Sequence, residues 1–291
     1  MQIAGFTIIR NAIQYDYPVV ESIRSVLPLV DCFFVSVGQS VDGTRELIEN
    51  MNEKKIIILD SIWDENLREG GKVLAEETNK AFQKIPGYYD WVIYIQADEL
   101  MHEDDLPVIK VAMEKWQDYP KIDGLLFNYM HFYGSYDYLG VSPKWYRHEI
   151  RVIRNDKTIY SYRDAQGFRK GNNHKLMVKP VNASIFHYGW VRPPDKMKLK
   201  VRDFEKLWHP DEKTASAGTL DFDYQGIDAL RKYEGTHPGV FQEKVQKINW
   251  EFDFDPSFNR MNLKNKVRVW LEQKMGWKVG YYKNYKIVKG S

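Results

Sequence analysis

The sequence predicts an α/β protein built on a doubly wound mixed sheet flanked by helices, with a C-terminal helical extension. Over the first 120 residues, apolar β-prone runs alternate with helix-like stretches. Alternation of this kind implies parallel strands joined by right-handed crossovers. After Tyr119-Pro120 the strand-like runs follow one another with few helices between them, so we expect the sheet to be completed in mixed or antiparallel fashion.

The alternating half contains four predicted strands and four predicted helices. The strands are Ile3–Ile9, Cys32–Val37, Lys55–Leu59 and Trp91–Gln96. The helices are Pro18–Leu29, Thr44–Asn50, Gly71–Ile85 and Asp104–Gln117. The segment Asp42-Gly43-Thr44 supplies the turn that leads into the second helix and the cap at its start.

The second half changes character at Pro193-Pro194, which we take as a domain boundary. Before it, the predicted strands are Gly124–Phe132, Glu149–Arg154, Lys157–Tyr160, His174–Val178 and Ala183–His187. After it, the predicted helices are Asp195–Leu207, Phe222–Tyr233, Gly239–Ile248 and Asn262–Met275. We therefore expect a first domain over residues 1–192 and a helical extension with a basic tail over residues 193–291.

Composition describes an ordered globular protein, with 43% hydrophobic and 14% aromatic residues among 291. The single cysteine, Cys32, permits no intramolecular disulfide and favours a reducing compartment. The N-terminus carries no basic segment before its apolar run, and no apolar window is long enough to span a membrane. We expect a cytoplasmic protein.

Charge is unevenly distributed, although the net value is only +2. Residues 260–291 hold nine Lys or Arg and one acid, which leaves 33 basic and 39 acidic residues before them. The tail, with its Trp and Tyr residues, could make peripheral contact with an anionic membrane surface, although an ordinary basic terminal helix is the simpler explanation. The residues before 260 are mildly acidic and contain no nucleic-acid-recognition motif, so nucleic acid is not an expected partner.

The most informative segment is the run from Asp90 to Glu99, because an apolar strand pattern ends there in two adjacent carboxylates. Its last residues should emerge at the carboxyl edge of the sheet, where open α/β sheets bind ligands. Asp98 and Glu99 could hold a divalent cation there, and a divalent cation can hold a diphosphate. A solvated acidic turn is the alternative.

Phosphate-binding loops of the common types are absent from the sequence. It contains no G-x-x-x-x-G-K-[ST], and no G-x-G-x-x-G follows the first strand, which argues against a P-loop or dinucleotide-binding protein. Gly38 to Thr44 follows the second strand instead. Ser40 or Asp42 could cap the next helix, and that structural role alone would explain the segment.

Several segments, in this order and spacing, resemble the nucleotide-sugar half of a family 2-type glycosyltransferase with a GT-A fold. They are Ile8-Ile9-Arg10-Asn11, Glu21-Ser22-Ile23, Leu27-Pro28-Leu29-Val30-Asp31, Ser40-Val41-Asp42-Gly43-Thr44 and Gln96-Ala97-Asp98-Glu99. The resemblance covers roughly residues 3–190. It implies transfer of a sugar from a nucleotide diphosphate donor, usually with inversion and often helped by Mn or Mg.

Two positions depart from the family pattern. The metal motif commonly reads Asp-x-Asp, whereas here Gln96 occupies the first position, so that Asp98 alone matches the main metal-binding carboxylate. The family also tends to carry a base-contacting Asp at the end of the second strand, where this chain has Val37. Both changes weaken the expected metal affinity and leave the identity of the donor open.

The resemblance also implies roles for residues further along. His187 resembles the C-terminal metal-binding His of GT-A enzymes, so Asp98 and His187 are the predicted Mn or Mg ligands, although a histidine beside an apolar run is often structural. The strand Glu149–Arg154 resembles the one that precedes the family's catalytic acid, and Asp164 lies in the next turn, so that it is the predicted general base for the acceptor hydroxyl. An ion pair with Arg163 is its alternative role, and Glu149 and Asp137 are weaker candidates.

Contacts to the donor are expected from residues near the strand ends and helix starts. Arg68 and Lys72 lie just before or at the start of a helix and could direct positive charge at phosphate, although a plain capped helix start explains them too. The complete predicted nucleotide-sugar-binding set is Arg10, Asn11, Ser40, Asp42, Arg68, Lys72, Gln96 and Asp98. Aromatic residues between 129 and 146 are expected near the acceptor, since aromatic faces stack on sugar rings.

The resulting hypothesis is a glycosyltransferase of polysaccharide or related biosynthesis, with a glycan, lipid-linked or protein acceptor. Two alternatives remain. A nucleotidyltransferase would normally show a Gly-rich basic loop after the first strand, which Arg10-Asn11-Ala12 matches poorly. A non-catalytic carbohydrate-binding or scaffold protein on a degenerate transferase fold is favoured by Gln96 and Val37.

Overall fold

Thirteen strands join into one mixed sheet in the computed structural model, which describes residues 1–67, 69–208, 222–277 and 280–289. The strands are Ile3–Ile9 (β1), Cys32–Gly38 (β2), Ile56–Ser61 (β3), Trp91–Tyr94 (β4), Glu99–Met101 (β5), Gly124–Tyr133 (β6), Ser135–Gly140 (β7), His148–Arg154 (β8), Ile159–Tyr162 (β9), Gly167–Lys170 (β10), His174–Trp190 (β11), Leu230–Lys232 (β12) and Tyr285–Ile287 (β13). The main path of the sheet runs β3-β2-β1-β4-β8-β6-β11-β10-β9.

Seven α-helices flank this sheet among the described residues. They are Val19–Val26 (α1), Thr44–Glu49 (α2), Lys72–Lys84 (α3), Leu106–Trp116 (α4), Pro194–Trp208 (α5), Gln242–Gln246 (α6) and Leu263–Met275 (α7). Short 3₁₀ turns occur at Leu27–Leu29, Glu103–Asp105, Tyr224–Gly226 and Gly239–Phe241. The predicted fold class, a doubly wound mixed α/β sheet with flanking helices, is confirmed.

The strands of the parallel half are buried on both faces of the sheet, because successive side chains along a strand point to opposite faces. β1 and β2 are buried along their whole length, so each must be covered on both faces. One apolar cluster joins Phe33 to α1 and α4, and the other joins Phe34 to α3. Helices therefore pack on both faces of these strands, as the alternating sequence pattern predicts.

The strand order creates a crevice beside β1. The chain runs outward from β1 through β2 to β3 and then returns to β4 on the other side of β1, with all three pairings parallel. Such a reversal leaves the carboxyl ends of β1 and β4 adjacent at a topological switch point, which is where open α/β sheets bind ligands.

The second half completes the sheet in mixed fashion, as expected. β8 inserts antiparallel between β4 and β6, whereas β6 and β11 run parallel. The two predicted strands His174–Val178 and Ala183–His187 form one continuous strand, β11, whose pairing register shifts between Pro180 and Ser184. A bulge at this point explains why the sequence pattern reads as two segments.

The helix predicted over Phe222–Tyr233 is wrong. This segment contains a 3₁₀ turn and then β12, whose Leu230 pairs with Gly140 of β7. The open hydrogen-bonding edge of β7 supplies these partners, and such tertiary pairing overrides a helix-like local pattern. The short strands β5, β7, β10, β12 and β13 are absent from the sequence-based prediction.

The extension after residue 192 also returns to the main sheet, since β13 pairs parallel with β11. The predicted boundary between residues 192 and 193 stays a prediction. Within the described residues, we find no helix with the length and apolar character needed to cross a membrane.

Candidate active site

A cavity of about 990 Å³ opens at the switch point between β1 and β4. Six of the residues predicted from the sequence line it together: Arg10, Asn11, Gln96, Asp98, Asp164 and His187. Helix α5 forms another wall, and the Tyr15 hydroxyl donates a hydrogen bond to Asp203 of that helix at 3.0 Å. The cavity therefore lies where the sheet topology and the resemblance both placed a ligand site.

Asp98 contacts three basic side chains in this cavity. Its Oδ2 accepts hydrogen bonds from Lys200 Nζ at 3.3 Å and from an Arg192 guanidinium nitrogen at 3.5 Å. Its Oδ1 lies 3.8 Å from His187 Nε2. The predicted convergence of Asp98 and His187, which end segments far apart in the sequence, is present in the structure.

These neighbours set the ionisation of the cluster. Burial by itself would raise the pKa of Asp98, but Lys200, His187 and Arg192 more than offset it and hold that pKa well below its usual range. Burial, together with the positive charge of Arg192, lowers the pKa of Lys200 to about 7, against the opposing effect of Asp98. Asp98 is therefore an anion at neutral pH that already faces cations.

His187 also contacts a second imidazole. The Nδ1 atoms of His187 and His131 lie 3.1 Å apart, so one ring donates and the other accepts. Burial lowers the pKa of both rings. The pair is thus held neutral, which leaves His187 Nε2 directed at Asp98.

Glu99, the second acid of the motif, does not face the cavity. It forms a two-pronged ion pair with Arg151, whose Nε and a terminal nitrogen lie 2.6 and 2.5 Å from its oxygens, and Tyr129 donates a further hydrogen bond. Both charged side chains are almost completely buried. Because Glu99 Oε2 also accepts from the Gln96 backbone N–H at 3.1 Å, this carboxylate fixes the turn that presents Asp98.

The donor set around Asp98 fits a divalent cation poorly. His187 and Asp98 offer one nitrogen and one oxygen, and no cluster of three His, Cys, Asp or Glu side chains with metal-binding geometry occurs in the described ranges. The carboxylate already faces two cations, so a third would enter a region where positive charge exceeds negative. Mn or Mg at Asp98 and His187 stays a prediction that these side chains do not support.

Asp164 lies in a tight turn between β9 and β10. Arg163 and Ala165 on either side both have left-handed backbone conformations, with φ of 59° and 61°. The Gln96 side-chain amide donates to the Ala165 carbonyl at 3.3 Å and ties this turn to the end of β4. Burial raises the pKa of Asp164, which suits a group that must accept a proton.

Glu149 is a second carboxyl group on the cavity wall. It is only 4% exposed, and burial raises its pKa to about 8 despite the nearby Arg151. It is therefore protonated at neutral pH. Asp137, the other weak candidate for the base, is exposed on β7 and does not line this cavity.

Other residues predicted to bind the donor have different positions. Ser40 Oγ accepts from the Asn11 backbone N–H at 3.1 Å, and Asp42 accepts from the Gln14 backbone N–H at 2.7 Å. Both brace the loop after β1 and do not line the cavity. Lys72 pairs with Glu69 on the surface, also away from the cavity. Arg68 lies outside the described residues.

The main residues missed by sequence reasoning are Lys200 and Arg192. Lys200 is one of several lysines on α5, and nothing in the sequence distinguishes it from Lys196 or Lys198. Arg192 lies two residues beyond β11 and stacks its guanidinium 4.3 Å from the centre of the Tyr17 ring. The end of β11 brings Arg192 to Asp98, and the packing of α5 against the strand ends brings Lys200 there.

The comparisons with known proteins gave similarities to solved structures only. No family model matches the chain, and no curated protein does. S. aureus TarS is 13% identical, with a TM-score of 0.40 over 69% of this chain and 38% of TarS. A structure of S. aureus TarS 1–349 in complex with UDP is also 13% identical, with a TM-score of 0.39 over 69% of this chain and 64% of that chain.

Another similar structure is glucosyl-3-phosphoglycerate synthase from Mycobacterium tuberculosis in complex with Mn²⁺, UDP-glucose and phosphoglyceric acid. It is 14% identical, with a TM-score of 0.31 over 45% of this chain and 43% of the synthase. The chain matches less than two thirds of the length of each of these proteins, and at such identities and TM-scores the similarities assign no activity to it.

Proposed function

We propose that this protein is a glycosyltransferase that moves a sugar from a nucleotide diphosphate donor to an acceptor hydroxyl. The observation that carries the proposal is the convergence of six residues predicted from the sequence, Arg10, Asn11, Gln96, Asp98, Asp164 and His187, on one cavity at the switch point of the sheet. Chance placement would scatter residues from positions 10 to 187 over the surface. Its volume, about 990 Å³, is at the upper end of the usual range for small-molecule sites.

The donor enters between the ends of β1 and β4 in this proposal. Arg10 and Asn11 follow β1, and the Arg10 guanidinium lies 5.9 Å from the centre of the Trp63 ring, which also lines the cavity. An aromatic face beside a guanidinium suits a nucleobase or ribose next to phosphate. Asp98 and Lys200 line the same cavity, and the diphosphate would leave beside them in this proposal.

Asp164 is the proposed general base. It removes the proton from the acceptor hydroxyl while that oxygen forms a bond to the anomeric carbon. The bond between the anomeric carbon and the phosphate oxygen breaks, and the nucleoside diphosphate leaves with the electron pair. A single displacement of this kind inverts the configuration of the sugar, as the resemblance implies.

The acceptor site is proposed at the aromatic side of the same cavity. Trp145, Tyr146 and Trp190 line it, and Tyr146 is 40% exposed. Faces of this type stack on sugar rings, so a glycan acceptor, free or attached to lipid or protein, fits this wall better than a small polar metabolite.

Metal assistance by Mn or Mg has no step in this proposal, because the surroundings of Asp98 are already cationic. The alternative of a non-catalytic carbohydrate-binding protein predicts binding without turnover. Gln96, which motivates that alternative, has a role here without any metal, since it positions the turn that carries Asp164.

A peripheral membrane contact is proposed for α7. Leu263, Val267 and Trp270 recur on one face of this helix, and all are exposed. Lys264 and Lys266, which are exposed on the same helix, supply positive charge for anionic headgroups. With such a contact, a cytoplasmic enzyme would act on acceptors at the membrane surface.

Turnover of nucleotide sugars tests the proposed function. The full chain is incubated with a panel of UDP-, GDP-, ADP- and dTDP-sugars, and release of the nucleoside diphosphate is measured, since many transferases slowly hydrolyse their donor. We expect release from at least one donor, and its loss in Asp164→Asn. Binding of donors or glycans without any turnover would favour the non-catalytic alternative.

A further inference from the structure

The charge arrangement around Asp98 differs from that of an empty metal site. One carboxylate is surrounded by Lys200 and Arg192, so the three groups carry a net positive charge when Lys200 is protonated. A site built to attract a divalent cation normally presents excess negative charge. A site with excess positive charge suits an anion instead.

The two cations have different positions relative to the cavity. Lys200 lines the cavity together with Asp98, whereas Arg192 is completely buried behind them and is not part of the lining. Arg192 donates to the Gly189 carbonyl at 2.8 Å and packs on Tyr17. Arg192 thus offsets the charge of Asp98 from the protein side, and Lys200 is the cation presented to a ligand.

The Lys200 ammonium is held in place but not saturated. It donates to the Gly189 carbonyl at 2.8 Å and to Asp98 Oδ2 at 3.3 Å. An ammonium group has three N–H donors, so a third remains for a ligand oxygen. A free lysine side chain loses conformational freedom when it binds phosphate. The two hydrogen bonds already hold Lys200 in place, so less freedom is lost on binding and the contact with phosphate is stronger.

Gly189 makes this arrangement possible. A Cβ at that position would collide with the His187 ring and come within 2.9 Å of Asp98 Oδ2. The main chain therefore passes directly beside Asp98, and its carbonyl accepts from both cations. Strand β11 and helix α5 together build the positive group.

We propose that Lys200, positioned by Asp98 and Arg192, binds the diphosphate of the donor, so that the nucleoside diphosphate binds without a divalent metal. This inference rests on the proposed function, because it assigns a ligand to the same cavity. In it, Asp98 is a positioning residue for Lys200 and is not a metal ligand.

Titration calorimetry on the full chain tests the inference, with UDP, GDP, ADP and dTDP as probes in buffer containing either EDTA or MnCl₂. We expect at least one nucleoside diphosphate to bind, with affinities that agree within about threefold between the two buffers. Lys200→Met should weaken that binding by about 10- to 100-fold, as expected for the loss of a charge-assisted hydrogen bond. Binding of the matching nucleoside monophosphate should change much less.

Two further variants keep the result interpretable. Lys198→Met removes the same charge from an exposed position on the same helix and should leave binding unchanged. Lys200→Arg keeps the charge and should retain most of the affinity. Thermal unfolding shows whether each variant is folded. If Lys200→Met is not folded, the inference is tested by two other measurements: the affinity of wild type in EDTA against that in MnCl₂, and the affinity of Lys200→Arg.

The outcomes separate this inference from the proposed function. Binding that requires MnCl₂, or full affinity in a folded Lys200→Met, overturns the inference and leaves the glycosyltransferase proposal intact. If the wild-type chain binds none of the four nucleoside diphosphates in either buffer, both fail.

Discussion

Lys200 Nζ lies 3.3 Å from Asp98 Oδ2, although 102 residues separate the two in sequence. Asp98 follows a central strand of the parallel half, and Lys200 lies on the first helix after the predicted domain boundary. The contact makes the C-terminal extension part of the site and not an appendage. It also places an ammonium group where the resemblance alone would place a metal.

Replacing Asp98 by Asn should destabilise the protein and also abolish transfer. The change leaves Lys200 and Arg192 buried beside a neutral amide, and loss of one partner of a buried charge pair typically costs about 3–5 kcal/mol. Urea unfolding measures the free energy. Adding Lys200→Met to Asp98→Asn should recover part of the loss, and equal stabilities for the single and double variants would refute this coupling.

Asp164→Asn should lower turnover by about 10²–10⁴-fold, the usual contribution of a general base, with nucleoside diphosphate binding unchanged. Glu149→Gln is the matched control, because an amide resembles the protonated carboxyl group that burial favours at this position. We expect it to retain most of the activity. Steady-state kinetics on both variants check this; if Glu149→Gln is inactive and Asp164→Asn is active, the roles are reversed.

Glu149 should make stability dependent on pH. Burial raises its pKa to about 8 in the folded protein from an ordinary value of 4.5. Between these values the unfolded chain has lost the proton and the folded protein has kept it, so the free energy of unfolding falls as pH rises. Below pH 4.5 both states are protonated, and the contribution is fully present.

Glu149→Gln removes this titration. We subtract the free energy of unfolding of wild type from that of the variant at each pH. This difference should be more positive at pH 8 than at pH 5, by on the order of 1–3 kcal/mol. Urea unfolding of both proteins at the two pH values gives the comparison. An identical difference at pH 5 and pH 8 would show that Glu149 does not titrate in this range.

Arg151→Met should cost about 3–5 kcal/mol, since it leaves Glu99 as an unpaired charge in a fully buried site. The double variant Glu99→Gln with Arg151→Met should be more stable than Arg151→Met alone, because it removes that charge. Chemical denaturation measures both. A loss below about 1 kcal/mol in Arg151→Met, as for an exposed ion pair, would contradict the account of Glu99 as the support of the Asp98 turn.

The apolar face of α7 predicts binding to anionic vesicles. Trp270→Ala combined with Lys264→Ala and Lys266→Ala should reduce cosedimentation with phosphatidylserine-containing vesicles, and neutral phosphatidylcholine vesicles should bind little protein in either case. Tyr88→Ala, which removes an exposed aromatic side chain elsewhere, is the control. Equal sedimentation of all three proteins would exclude α7 as the contact.

The sequence predicted the parallel half of the fold well because its strands are buried on both faces. Uniformly apolar runs such as Trp91–Tyr94 leave little ambiguity, and alternation of strands with helices implies parallel pairing. Short strands such as β12 are set by the partner edge and carry no pattern of their own. The same reason explains the wrong helix over Phe222–Tyr233.

The site was predictable where residues follow strands, and not where it depends on packing. Arg10 and Asp98 line the same cavity because β1 and β4 are neighbours. The sequence could not show that Glu99 turns inward to Arg151, or that Lys200 is the lysine of α5 that faces Asp98. Val37 is buried in the core, so this chain offers no carboxylate at the position where the resembled family tends to carry an acid that contacts the nucleobase.

Release of nucleoside diphosphate from a panel of nucleotide sugars decides whether the cavity beside β1 and β4 binds and cleaves such donors. We expect the wild-type chain to release it from at least one donor, Asp164→Asn to release none, and Lys198→Met to behave as wild type. A folded wild-type chain that neither binds nor cleaves any nucleotide sugar in the panel would contradict the assignment of the cavity beside β1 and β4.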